Sequence, residues 1–196
     1  MKSIAAFLDR DGVIIKYVPD ICKTEDMEIF SFSSEAIKIL NESKVLVIIV
    51  ANQPQVAKGY CTEEIVKEIN NNIVDELKKE GAIIDAVYYC PHHPEKGFTG
   101  ERPEYKIECD CRKPKIGMIE EAAKRFDIDI TKSFIVGDST WDTKTGKNAE
   151  KKYPGFKTIL VRTGLAGKDG KYVVDQDFTV DNLLEAAKLI KSLVKK

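Results

Sequence analysis

Short apolar runs alternate with amphipathic helical segments along the whole 196-residue chain. The apolar runs, typical of buried strands, occupy residues 3–8, 45–50, 85–89, 133–136 and 157–161. Apolar residues at helical spacing occupy residues 33–42, 62–81, 116–126, 141–150 and 181–194. Because strands that alternate with helices pair in parallel through right-handed crossovers, this order predicts an α/β fold: a parallel sheet with helices on both faces. The length suits a single domain over residues 1–196.

The composition is that of an ordinary globular protein, with 43% hydrophobic and 32% charged residues. A formal net charge of −1, with lysine and arginine spread along the chain, gives no sign of a nucleic-acid partner. No apolar stretch approaches the roughly 18 residues of a membrane span, and the N-terminal apolar run is too short for a signal peptide. Five cysteines without an export signal argue against a disulfide framework. We therefore expect a cytoplasmic monomer that binds neither membrane nor nucleic acid.

Polar side chains are clustered at four places, three of them directly after predicted strands and one before a helix. These clusters are Asp9 with Asp11, Asn52 with Gln53, Arg112 with Lys113, and Asp138 with Asp142. The carboxyl ends of parallel strands lie along one edge of a sheet, where open α/β folds bind their ligands. Unrelated surface acids have no reason to collect at successive strand ends. The spacing therefore predicts one site that contains all four clusters.

The charges of these clusters suit phosphoryl transfer. Asp9 and Asp138 offer the hard oxygen ligands that Mg²⁺ prefers, and the backbone carbonyl of Asp11 can complete the metal shell. A carboxylate beside such a cation can attack phosphorus as a nucleophile. Lys113 would neutralise phosphoryl oxygens and keep a neighbouring carboxylate ionised. Asp11 can act as general acid and base, protonating the leaving oxygen and then deprotonating water.

A segment rich in Cys, His, Pro and Gly, at about residues 90–113, is too polar to pack as core. Cys90-Pro91-His92 and Cys109-Asp110-Cys111 give a C-x-H motif followed by a C-x-C motif. These are four ligands for a closed tetrahedral Zn²⁺ site, with no open position for chemistry. The sequence predicts a structural zinc that staples this loop. His93 competes with His92 as the imidazole ligand, whereas Cys22 and Cys61 have no matching partners.

Four segments of the chain resemble, in order, the four motifs of haloacid-dehalogenase-like phosphatases. They read FLDRDGV, VIIVANQ, CRKP and FIVGDSTWD. The resemblance implies a Rossmann-like fold in which Asp9 is the phosphorylated nucleophile and Asp11 the general acid/base. It also implies that Lys113 holds phosphate and that Asp138 holds Mg²⁺, with Asp142 as a supporting acid. The residues it assigns to substrate or phosphate binding are Arg10, Ala51, Asn52, Gln53, Arg112 and Lys113.

The segments YYCPHHPE and CDCRKPKIGM resemble the zinc loop of one subgroup of this family. That subgroup contains phosphatases of heptose 1,7-bisphosphate and of histidinol phosphate, and it has no large cap domain. The resemblance implies that the loop partly covers the site and that Arg112 contacts a small phosphorylated metabolite. We expect removal of the 7-phosphate of D-glycero-D-manno-heptose 1,7-bisphosphate, with histidinol phosphate or another small phosphate ester as the alternative.

Two departures from the family pattern concern the substrate. Ala51 stands in ANQ where the family usually has the hydroxyl residue of TNQ, so one hydrogen bond to phosphate is missing, often worth about 0.5–1.5 kcal/mol. The early stretch from Ile15 to Asp20 lacks the Asn and Gly-Tyr that are usual in the heptose enzymes. These changes leave the nucleophile intact. They are also consistent with a weakened protein that binds phosphosugars without turnover.

Overall fold

A computed structural model describes residues 2–195 and contains six strands and five α-helices. The strands are β1 (Ile4–Leu8), β2 (Val45–Asn52), β3 (Ala86–Cys90), β4 (Phe134–Gly137), β5 (Lys157–Val161) and β6 (Phe178–Val180). The helices are α1 (Ser33–Glu42), α2 (Glu63–Lys79), α3 (Gly117–Phe126), α4 (Thr140–Lys152) and α5 (Leu183–Val194). Strands and helices alternate as the sequence predicts.

All six strands form one parallel sheet in the order β3-β2-β1-β4-β5-β6, which confirms the predicted architecture. The strand order reverses at β1, since the chain proceeds from β1 to β2 and β3 on one side and from β4 to β6 on the other. A crevice opens outside the carboxyl ends of the strands at such a reversal point. Here it lies between the end of β1 and the end of β4.

Side chains of β1 alternate between two apolar layers, because successive residues of a strand point to opposite faces. Ala5 and Phe7 pack in the layer that contains residues of α3 and α4, and all are buried. Ala6 and Leu8 pack in the layer that contains residues of α1, α2 and α5. The sheet is therefore covered by helices on both faces, as predicted.

Two details differ from the sequence-based expectation. Strand β6 was missed because its three residues, Phe178–Val180, make no apolar run of their own. Asp181, the first residue of the last predicted helix, lies before α5 and is paired with Arg162 at 2.8 Å. Asn182 is the cap, and its side-chain oxygen accepts from the backbone N–H of Glu185 at 3.1 Å.

Three loops surround the carboxyl edge of the sheet: the early loop (residues 12–32), the bridging loop (residues 53–61) and the cysteine loop (residues 90–113). The bridging loop contacts both of the others. Lys58 Nζ pairs with Asp20 of the early loop at 2.9 Å, and Ala57 accepts a backbone hydrogen bond from Arg102 of the cysteine loop at 3.0 Å. Gly59 has a φ of +79°, and a Cβ there would collide with the carbonyl oxygen of Gly100.

No helix within residues 2–195 combines the length and apolarity needed to cross a membrane.

Candidate active site

A cavity of about 370 Å³ lies at the carboxyl edge of the sheet, beyond β1, β2 and β4. Most of the site residues predicted from the sequence line it. These are Asp9, Asp11, Asn52, Gln53, Arg112, Lys113 and Asp138. Members of all four polar clusters therefore come together, although Asp9 and Asp138 are 129 positions apart in the chain.

Three carboxylates meet at the floor of this cavity. Ligand oxygens of Asp9, Asp138 and Asp142 all lie within 4.8 Å of one another. Burial, and then the neighbouring carboxylates, raise the pKa of Asp9 to about 7 and that of Asp138 to about 8. The turn at Gly12, with a φ of +78°, makes the approach possible, since a Cβ there would collide with the Asp138 carboxylate. The sequence thus concentrates negative charge at the reversal point of the sheet.

Lys113 supplies the positive charge that this group needs. Its ammonium lies 3.0 Å from Asp9 Oδ1 and 2.5 Å from Asp142 Oδ1. Although burial lowers the pKa of Lys113, these two carboxylates raise it above its ordinary value. Asn52 at the end of β2 holds this residue through its amide, which accepts from the Lys113 N–H at 2.9 Å and donates to the Lys113 carbonyl at 3.1 Å. The lysine is therefore fixed and charged beside Asp9.

The acidic group fits a divalent cation. Asp142 uses both oxygens within the protein: Oδ1 accepts from Lys113, and Oδ2 accepts from the Ser139 hydroxyl at the start of α4. Asp9 Oδ2 and Asp138 Oδ1, in contrast, accept no hydrogen bond from the described residues. Three carboxylates against one ammonium leave an excess of negative charge, and hard carboxylate oxygens are the ligands that Mg²⁺ prefers. Asp9 and Asp138 are positioned to bind such an ion, with Asp142 holding Lys113.

Adding Mg²⁺ is expected to raise the thermal midpoint of unfolding more at about pH 8 than at about pH 5. The pKa values of Asp9 and Asp138, about 7 and 8, exceed the value of 3.8 in the unfolded chain. Between these limits the metal-free folded protein holds more protons than the unfolded one, so its stability falls as the pH rises through this window. A cation replaces those protons. Differential scanning fluorimetry measures the shift; equal shifts at both pH values, or an undiminished shift in Asp138→Asn, would contradict the assignment.

Asp11 is placed apart from the acidic group, although it also faces the cavity. Its carboxylate accepts from Arg10 Nε and Nη2 at 3.1 and 3.0 Å, and from Gln53 Nε2 at 2.9 Å. Arg10 itself is fully buried and donates its remaining nitrogen to Asn70 at 3.0 Å. Gln53 and Arg10 therefore aim the Asp11 carboxylate.

The structure does not bring two of the predicted substrate-binding side chains to the cavity wall. Arg10 points into the protein toward α2, and Ala51 is buried within β2. Sequence position alone did not distinguish them from their neighbours, because alternate residues of a strand end face opposite sides. Asp9 and Asn52, one residue away from each, face the cavity instead.

A second group of ligand-type side chains lies in the cysteine loop. The three Sγ atoms of Cys90, Cys109 and Cys111 lie 3.1 to 3.5 Å apart. His92 Nδ1 lies 3.6 Å from Cys90 Sγ and 3.4 Å from Cys111 Sγ. This compact S₃N arrangement fits one tetrahedral soft-metal site. It also selects His92 over His93, whose ring stacks edge-on against Phe98 at 5.4 Å.

The two remaining cysteines lie outside this group. Cys22 of the early loop packs against Cys61 in a small apolar cluster that also contains Val56 and Val66.

Several residues that line the cavity had no role assigned from the sequence. They are Tyr17, Val18, Pro19, Asp20, Ile21, Pro54, Gln55, Lys58, Ser139, Trp141, Leu165 and Asp169. Most belong to the early loop and the bridging loop, whose positions depend on contacts with segments distant in sequence. Trp141 had a usable signal, because it stands between the two acids of the FIVGDSTWD motif.

The chain is similar to known proteins over nearly its whole length. A family model described as HAD-hydrolase-like matches residues 110–186. The D-glycero-beta-D-manno-heptose-1,7-bisphosphate 7-phosphatase of Pasteurella multocida is 36% identical over 190 residues, covering 96% of this chain and 97% of the relative. A D-glycero-alpha-D-manno-heptose-1,7-bisphosphate 7-phosphatase of Photorhabdus laumondii is also 36% identical, over 188 residues, covering 94% of this chain and 98% of the relative.

Among solved structures, the D,D-heptose 1,7-bisphosphate phosphatase of B. bronchiseptica, complexed with magnesium and phosphate, superposes with a TM-score of 0.79. The sequence identity is 25%, and the match covers 97% of this chain and 98% of that chain.

Proposed function

This chain belongs to the D-glycero-D-manno-heptose-1,7-bisphosphate 7-phosphatase family of haloacid-dehalogenase-like hydrolases, and from that premise we propose that it removes the 7-phosphate of this bisphosphate. The observation that carries the proposal is the contact between Asp9 and Lys113 inside the acidic group. This contact supports the proposal because an ionisable carboxylate, a fixed ammonium and two further carboxylates lie close together there. The relative from B. bronchiseptica, whose complex holds magnesium and phosphate, supports the same assignment.

In the proposed reaction, Asp9 attacks the phosphorus of the 7-phosphate. An Asp9 oxygen forms a bond to phosphorus while the bond to the C7 oxygen breaks, and Asp11 gives its proton to that leaving oxygen. Lys113 neutralises charge on the phosphoryl oxygens and favours the ionised form of Asp9. Water then attacks the aspartyl phosphate, Asp11 takes its proton, and inorganic phosphate leaves.

Asp9 and Asp138 would hold Mg²⁺, which would supply positive charge next to the phosphoryl group. Backbone N–H groups hold both of these carboxylates in place. Asp138 is fixed by the backbone N–H of Leu165, which donates to Oδ2 at 2.7 Å. The backbone N–H of Arg10 donates to Asp9 Oδ1 at 2.8 Å, leaving the second oxygen of Asp9 for phosphorus or metal.

We assign a structural Zn²⁺ to Cys90, His92, Cys109 and Cys111. Three thiol groups and one imidazole are a donor set that zinc commonly takes, and four protein ligands leave no position for substrate. The site lies next to the chemistry in sequence, since Arg112 and Lys113 follow Cys111 directly. Zinc binding would therefore hold the segment that carries both of these cations.

Phosphate release from a panel of substrates tests the proposed function. With Mg²⁺ present, kcat/KM for either anomer of D-glycero-D-manno-heptose 1,7-bisphosphate is expected to exceed that for histidinol phosphate by about 100-fold or more, the discrimination a site obtains from specific polar contacts. A chelator should abolish release. A higher kcat/KM for histidinol phosphate would contradict the proposed substrate but not the proposed aspartyl-phosphate mechanism. Binding of the bisphosphate without release would instead identify a protein that does not turn it over.

A further inference from the structure

Trp141, the one tryptophan of the sequence, stands in the cavity wall on the first turn of α4. Its ring is surrounded by groups from two other parts of the chain. The guanidinium carbon of Arg112 lies 5.3 Å from the ring centroid, and Lys171 Nζ lies 5.5 Å from it. The Tyr172 ring meets the indole edge-on, at 5.1 Å and an interplanar angle of 90°.

Arg112 is a cavity cation whose charge the protein does not balance. Its Nη1 donates to the carbonyl of His92 at 3.1 Å, and within residues 2–195 no carboxylate oxygen lies within 4.0 Å of it. The other two lysine or arginine side chains of the wall are paired: Lys113 contacts Asp9 and Asp142, and Lys58 contacts Asp20. Arg112 therefore has capacity to bind an incoming anion.

Hydrogen bonds anchor the backbone next to the indole ring. Thr140, next to Trp141, donates its N–H and hydroxyl to the two oxygens of Asp169, at 2.7 and 2.6 Å. The N–H of Tyr172 donates to the Thr140 hydroxyl oxygen at 3.1 Å. The loop after β5 is thereby fastened to the start of α4, on the side of the ring that Tyr172 covers. A fixed ring is what a cation–π contact needs in order to orient a flexible arginine.

We propose that Trp141 is the positioning residue for Arg112, holding the guanidinium toward the end of the substrate that carries the second phosphate. This inference rests on the proposed function, since it assigns the distal anion of a sugar bisphosphate to this wall. Tryptophan is the aromatic residue with the strongest attraction for a cation. Within the described residues only Nη1 of Arg112 donates a hydrogen bond, to the His92 carbonyl, so its other N–H groups remain available to phosphate oxygens.

The kinetic test compares Trp141→Leu and Trp141→Phe with the parent, using the heptose 1,7-bisphosphate and the corresponding 7-phosphate. Trp141→Leu is expected to raise KM for the bisphosphate about tenfold, while kcat changes less than KM. The penalty for the 7-phosphate, which lacks the distal anion, should be several-fold smaller, and Trp141→Phe should recover part of the loss. Phe126→Leu is the matched control, because it removes an arginine–aromatic contact of 5.1 Å outside the cavity.

A double-mutant cycle with Arg112→Met shows whether Trp141 acts through the arginine. If it does, Trp141→Leu adds little to the effect of Arg112→Met on KM. Fully additive losses, equal losses on both substrates, or a fall in kcat alone would overturn the inference.

Fluorescence separates this inference from the proposed function. Because Trp141 is the single tryptophan, Arg112→Met is expected to alter the emission and acrylamide quenching of the ligand-free protein. In Asp9→Asn protein, the bisphosphate with Mg²⁺ should shift the emission, and the added Arg112→Met change should remove that shift. An unchanged ligand-free spectrum in Arg112→Met would overturn the positioning role whatever the substrate. If the parent protein releases no phosphate from the bisphosphate, the proposed function is overturned. The ligand-free spectra still test the contact between Trp141 and Arg112 in that case.

Discussion

Replacing Asp9 with asparagine is expected to lower phosphate release from the heptose bisphosphate by a factor on the order of 10⁴ or more. An amide of nearly the same shape cannot attack phosphorus, so no aspartyl phosphate forms. The measurement is single-turnover phosphate release with Mg²⁺ present, together with labelling of the acid-quenched protein by radioactive substrate phosphate. The parent protein should carry label and the variant none.

Folding of Asp9→Asn is checked separately, because loss of activity alone does not identify a nucleophile. Asp9 belongs to a crowded acidic group that raises its pKa to about 7, so removing its charge should not lower the thermal midpoint of the metal-free protein. Asp129→Asn is a matched control, since this carboxylate caps a short 3-10 turn outside the cavity. Phosphate release that survives Asp9→Asn at near-parental rates would exclude the covalent mechanism.

Replacing Cys109 with serine is expected to abolish binding of the proposed zinc and to lower kcat/KM roughly 10–100-fold. The cause is loss of order in the cysteine loop, which carries Arg112 and Lys113 immediately after its last ligand, Cys111. The cysteine loop also contacts the bridging loop: the ring of its Phe98 lies 5.5 Å from the ammonium of Lys58. Removing the metal should therefore disturb the cysteine loop, the bridging loop that it contacts, and Lys113 beside the proposed nucleophile.

Metal analysis, limited proteolysis and kinetics test this second prediction together. Cys109→Ser protein should contain less than stoichiometric zinc and be cleaved in the cysteine loop under conditions that leave the parent intact. Cys22→Ser is the matched control, because Cys22 lies outside the metal group. Full activity and full zinc content in Cys109→Ser would show that this group does not staple the loop.

The parts of the site that could be predicted from sequence are those set by local pattern. Apolar runs mark strands, polar residues mark their ends, and parallel topology brings those ends together. The strand-end pattern predicts one site for Asp9, Asn52 and Asp138, and in the structure all three line the same cavity. Short-spaced ligand motifs likewise predicted the cysteine group.

The parts that could not be predicted depend on contacts between distant segments. Arg10 follows the nucleophile directly, yet its side chain is directed away from the cavity by Asn70, which is 60 residues later in the chain. The contact of Trp141 with Arg112 requires both the cysteine loop and the loop after β5 to be in place. The C-x-H spacing predicts His92 as the imidazole ligand with His93 as its competitor, and the path of the loop separates the two, since the ring of His93 packs against Phe98.

The contacts of the bridging loop have a consequence for how this protein can diversify. Gly59 cannot take a side chain without displacing the backbone at Gly100, so the seam between these two loops is closed to most substitutions. Glu95 and Lys96 of the same cysteine loop, in contrast, are exposed and can be replaced by other side chains. Tolerated mutations should therefore accumulate in the exposed parts of the cysteine loop rather than where it meets the bridging loop. Proteins that evolve from this fold can therefore change the leaving group that they accept while they keep the same phosphoryl-transfer step.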